Sequence, residues 1–188
     1  TPSMYSDPPL PICSYLESDY IEGLTLNDWK QDMSDAARAA VDYAAVEQEI
    51  RRELAHTTDG RQAMTRAVEI LKARVPDYNW VGIYQLFGNE LVLGPFVGKP
   101  SPHTHIPLGR GICGAAAAEK ATIIVDNVHS DARYLACSVD TKSEIVVPIM
   151  RGCDVLGEID IDSDRPSAFG ADDKRMLEAV AAALSERI

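Results

Sequence analysis

Three carboxylates recur at every second position of the stretch GEIDIDS: Glu158, Asp160 and Asp162. Folded as a strand, the segment puts these acids on one face and Gly157, Ile159 and Ile161 on the other. Adjacent carboxylates on one face repel each other, so the face must either meet water fully or meet something cationic. Spacing alone favours a solvated outer face. The upstream stretch SEIVVPIMRG shifts the balance, because Glu144, Val146 and Pro148 share a face there and a hairpin can bring Glu144 to the same cluster. Such a cluster suits a substrate ammonium group. It also suits proton donation, since like charges raise one another's pKa values.

The thiols offer a second chemistry. Cys137 sits in the polar loop of ACSVDTKSEIVVPI, just ahead of the strand that opens with Glu144. Thiols with a chemical role tend to occupy polar, partly exposed surroundings that tune the thiolate fraction. Cys113 lies in GRGICG, a glycine-rich loop opening a short helix, where helix N-terminal amides favour anions. That loop lacks the spacing of a nucleotide fingerprint, and a nucleotide site is rejected. Cys13 reads as a bystander in a proline-rich arm, and Cys153 as exposed in a hairpin turn. No CxxC pair is present, so zinc ribbons and thioredoxin-type motifs are absent. His103 and His105, two apart in SPHTHIP, are too few for a metal site without a third ligand nearby, and no metal is expected. Trp80 and Tyr84 share a strand face and can wall an apolar pocket while offering an N–H and an O–H.

These residues need elements to hold them. Residues 1–33 contain DPPLPICSY and read as an extended arm or linker, with a single domain over 34–188. Ser34 is placed to cap a helix running to about His56, with Tyr43, Val46, Ile50 and Leu54 at spacings of three and four. A second helix carries Met64, Ala67, Val68, Leu71 and Val75 on one stripe and stops at Pro76. The period then changes to two: NWVGIYQL and LVLGPF flank the turn FGNE as a hairpin. A short helix after GRG, a central strand at ATIIVDNV and a long loop at HSDARYLACSVDTK follow. A second hairpin and a closing helix that begins at Asp172 and Asp173 complete the chain. Hairpins outnumber parallel crossovers, which predicts an α+β domain with a mainly antiparallel sheet and helices packed on it.

The 188 residues suffice for one domain with a proper core. A net charge of −11 repels phosphate backbones and anionic lipid, so neither nucleic acid nor a membrane is expected as a partner. No apolar run approaches the ~20 residues a membrane helix needs. A chain of this size needs no disulfide staples, and the cytoplasm is the expected compartment.

From about Asn79 to Ile188 the chain resembles the GAF-domain free methionine-(R)-sulfoxide reductases. The motifs that carry the resemblance are NWVGIY, LVLGPFVGK, IPLGRGICG, ACSVDTKSEIVVP and GEIDIDS, in the family's order. The resemblance implies a six-stranded antiparallel sheet flanked by helices on both faces, often in a homodimer, here with an N-terminal helical extension. It implies reduction of free methionine-R-sulfoxide with no cofactor beyond thioredoxin as the external reductant. By motif position, Cys137 and Cys113 match two cysteines of the family's redox set. Glu144, Asp160 and Asp162 match its pocket carboxylates, and Trp80 and Tyr84 its aromatic wall. His103 stands where the family commonly has a third cysteine. That substitution lends some weight to the alternative, a non-catalytic GAF sensing module, while the intact carboxylate and aromatic set favours the enzyme.

Overall fold

A computed structural model describes residues 41–136 and 138–188. The proposed arm, the Ser34 cap and Cys137 lie outside the described residues. The first described helix, α1 (Tyr43–Ala55), starts at Asp42, whose side chain accepts the Ala45 N–H. Residues 41 and 42 are not helical, so the expected helix does not run unbroken through this point. An aspartate that caps a free amide competes with continued helix. Helix α2 (Gly60–Arg74) is capped in the same way by Asp59 and ends before Pro76.

Six strands follow: β1 (Trp80–Phe87), β2 (Glu90–Val97), β3 (His105–Pro107), β4 (Ile123–Val125), β5 (Ser143–Arg151) and β6 (Asp154–Ser163). Helix α3 (Gly111–Glu119) lies between β3 and β4, and α4 (Ala171–Ser185) closes the chain. The sheet order is β3-β2-β1-β6-β5-β4, with every pairing antiparallel. Two departures from the pattern reading stand out. The segment at ATIIVDNV supplies only three strand residues and lies at an edge, pairing with β5 alone, instead of at the centre. The centre belongs to β1 and β6, each paired on both sides. The sixth strand, β3, is too short for an alternating pattern to mark it.

The sheet divides two cores. On one face Val81, Ile83, Ile145, Val147, Ile159 and Ile161 pack against α1, α2 and α4. On the other, Trp80, Tyr84, Val146 and Leu91 pack with Ile106 and with Ile112, Cys113 and Ala116 of α3. Each central strand is therefore buried on both sides, and its alternation sorts residues between two interiors. No helix of the described residues is long and apolar enough to cross a membrane.

Candidate active site

Strand β6 carries the acids into the second core. Cross-strand pairing sets Asp162 against Trp80 and Glu144, Asp160 against Gly82 and Val146, and Glu158 against Tyr84 and Pro148. The register thus gathers Glu144, Glu158, Asp160, Asp162, Trp80 and Tyr84 on one face, as strand periodicity predicted. Spacing failed on burial. The acids do not face solvent: Glu158 is fully buried and Glu144, Asp160 and Asp162 are each no more than 5 % exposed. Nor does a cation neutralise them, since among the described residues no ion pair joins any of the four. Helix α3 and the loops after β2 and β4 cover this side, a tertiary event that a two-residue period does not record.

Protonation resolves the conflict. Burial pushes the carboxyls of Glu144, Glu158 and Asp162 well above the usual range, and the charge on Asp160 raises each further. Burial also lifts Asp160, to about 7. The acid face therefore holds its protons to higher pH than exposed carboxyls do.

Cys113 enters this cluster from the first turn of α3. Gly111, at φ 72°, turns the chain into the helix and sends the thiol inward. Its Sγ donates to Asp160 Oδ2 at 3.4 Å and lies 3.7 Å from Glu144 Oε1. The same three side chains each offer one atom within 4.8 Å of the others, the described group best spaced to hold an ion. The two histidines do not join it. Only His105 belongs to β3, while His103 precedes it and turns its Nε2 to the Ala136 carbonyl at 3.2 Å.

Asp160 and Asp162 also line a cavity of about 210 Å³, with Trp80, Tyr84, Lys99 and Asp140 around it. This is smaller than the ~300–1,000 Å³ typical of drug-sized sites and fits a ligand on the scale of an amino acid. The aromatic wall is fixed by backbone. Trp80 Nε1 donates to the Lys99 carbonyl at 3.0 Å, and the Tyr84 hydroxyl donates to the His103 carbonyl at 2.8 Å. Both rings wall the cavity, as expected, while their N–H and O–H are engaged within the fold. The indole lies flat over Gly82, where an added Cβ would sit 2.1 Å from the ring. Sequence reasoning missed the rim, where Lys99 Nζ and Asp140 Oδ2 form an ion pair at 2.5 Å. Lys99 and Asp140 come from loops 41 residues apart, and no local pattern links them. Glu158, which the alternation set beside Asp160 and Asp162, was not among the residues matched to the family's pocket.

Comparison with known proteins agrees with this fold. The GAF domain model matches residues 39–188. The free methionine-R-sulfoxide reductase of Escherichia coli is 33% identical over 144 residues, 77% of this chain and 87% of that protein. The structure of the Neisseria meningitidis free methionine-R-sulfoxide reductase in complex with its substrate superposes with a TM-score of 0.74 at 35% identity, over 77% of this chain and 87% of that one. The type II free methionine-R-sulfoxide reductase of Thermoplasma acidophilum does so with a TM-score of 0.66 at 40% identity, over 68% and 90%. With the fold, the buried acid face and these likenesses in register, the chain belongs to the GAF-domain free methionine-(R)-sulfoxide reductase family.

Proposed function

We propose that this chain reduces free methionine-(R)-sulfoxide to methionine with its own thiols. Cys137 attacks the sulfoxide sulfur, a carboxyl of the Glu144, Asp160 and Asp162 group protonates the sulfoxide oxygen, and that oxygen passes to the Cys137 sulfur. Methionine leaves and Cys137 becomes a sulfenic acid. Cys113 then condenses with it, forming a disulfide and releasing water. Thioredoxin dithiol exchanges with that disulfide, so no resident cofactor is needed. The protein works in the cytoplasm, as a homodimer.

The observation that carries this reading is the buried acid face, two of whose carboxyls line an amino-acid-sized cavity. Asp160 lines that cavity, and its pKa of about 7 is close to ideal for a proton donor near neutral pH. Asp162 lines it too, and an incoming ammonium group would favour its ionised form. The site should therefore demand a free amino group, because a ligand without one leaves buried acids unmatched. Thioredoxin-coupled NADPH oxidation tests this. Free methionine-R-sulfoxide should turn over, whereas the S epimer and N-acetylated or peptide-bound sulfoxide should not. Equal rates on free and acetylated substrate would sink the substrate assignment. Binding of the free sulfoxide without any methionine formed would favour the sensing module.

A further inference from the structure

The reduction uses Cys113 once per cycle, yet the surroundings of its sulfur are more elaborate than one condensation requires. Its two carboxylate neighbours lie at 3.4 and 3.7 Å. In a tetrahedral zinc site, bonds of about 2.3 Å to sulfur and about 2.1 Å to oxygen set sulfur and oxygen about 3.6 Å apart. The two observed separations bracket that edge. A further acid stands behind them. Glu158 is fully buried, and neither of its carboxyl oxygens accepts or donates a well-formed hydrogen bond. Asp160 Oδ1 is likewise buried without a partner. Buried polar atoms left unmatched are costly, and each usually has a reason.

We propose that Cys113, Glu144 and Asp160 form a zinc site, with Glu158 as the fourth or supporting group, and that zinc occupying it blocks the reduction. One sulfur with two or three carboxylates suits a borderline cation such as zinc, whereas magnesium and calcium take oxygen ligands alone. Zinc would displace the thiol proton and carboxyl protons, so binding tightens as pH rises. It would also satisfy the orphaned oxygens of Glu158 and Asp160. The ion is an inhibitor here, because it engages the thiol and the acid that the reaction needs. That inhibitory consequence rests on the proposed function, whereas the binding site does not.

A variant with Cys13, Cys137 and Cys153 all replaced by serine keeps Cys113 as its one thiol. Titrated with zinc chloride in a calorimeter without oxygen, it should bind one ion per chain and release protons. Titrated with cobalt(II), it should show the sulfur-to-cobalt charge-transfer absorption that reports a thiolate ligand. Glu158→Gln in the same background should weaken zinc about tenfold to hundredfold, as loss of an outer partner does. Circular dichroism confirms that the nearly isosteric glutamine leaves the fold intact. Adding Cys113→Ser should remove both the band and the binding. Zinc bound equally well after Cys113→Ser, or cobalt bound without the band, overturns the site. In the wild type, one equivalent of zinc should stop methionine release and a chelator should restore it. Zinc bound at Cys113 with release unimpaired overturns the inhibitory half of the proposal and removes Asp160 as the acid that protonates the substrate, with the metal site itself upheld.

Discussion

Strand β6 shows two interiors side by side. Ile159 and Ile161 point into one core, fully buried among Val81, Ile83, Val147 and Leu177. Glu158, Asp160 and Asp162, their immediate neighbours in sequence, are nearly as buried on the other face. The isoleucines gain by leaving water, each worth roughly 1.5–3 kcal/mol. The acids lose by it, and burial and mutual repulsion raise their pKa values, so that they hold protons to higher pH. One face of the strand holds the domain together. The other holds acid in reserve next to a thiol and a cavity.

If that division is right, the two faces respond oppositely to substitution. Asp160→Asn should lower methionine release by about a hundredfold or more, the usual yield of a positioned acid, with the fold unharmed. Ile161→Ala, one residue along, should cost about 2–5 kcal/mol of stability by emptying part of the first core. Its turnover per folded molecule should stay near normal. Chemical denaturation read beside initial rates separates the two, and a crossed result would erase the distinction.

The acid face should also set the pH dependence of stability. The carboxyl of Asp160 has its pKa raised from 3.8 to about 7 by burial. The unfolded chain then sheds this proton at lower pH than the native one, so stability is full below pH ~4 and is lost as pH rises towards ~7. Glu144, Glu158 and Asp162 act in the same direction, their pKa values being raised as well. Asp160→Asn removes one such group. Its melting temperature relative to wild type should be higher at pH 8 than at pH 5, and the opposite order would mean that Asp160 is ionised in the fold. Infrared spectra should agree, with a protonated carboxyl band in the wild type near pH 6 that shrinks as pH rises.

The smallest effect belongs to the aromatic wall. Tyr84→Phe deletes the hydrogen bond to the His103 carbonyl and should cost about 1 kcal/mol, the typical net worth of one such bond. Because that hydroxyl is engaged by backbone, affinity for substrate should change little. A large rise in KM would show that the hydroxyl reaches the ligand after all.

What could be read in the sequence follows the same two faces. Strand periodicity assigned Trp80 and Tyr84 to one side of β1, Val81 and Ile83 to the other, and grouped Glu144 with the β6 acids, because alternation is a local property of extended chain. The stripe of α2 was equally legible. Burial of the acid face was not, since its cover comes from α3 and from loops distant in sequence. The edge position of β4 and the existence of β3 were hidden for a similar reason: three residues carry no period, and strand order is a matter of pairing. Glu158 was legible by position, on the same face as Asp160 and Asp162. The Lys99–Asp140 rim had no signal at all.

The central claim is that the acid face serves a thiol reduction, and a single turnover tests it most directly. Reduced protein, freed of reductant and mixed with excess free methionine-R-sulfoxide, should release about one methionine per chain as Cys137 passes to sulfenic acid. Cys113→Ser should release the same single equivalent but fail to cycle with thioredoxin, and Cys137→Ser should release none. No methionine from the wild type, or a full equivalent from Cys137→Ser, would contradict the account.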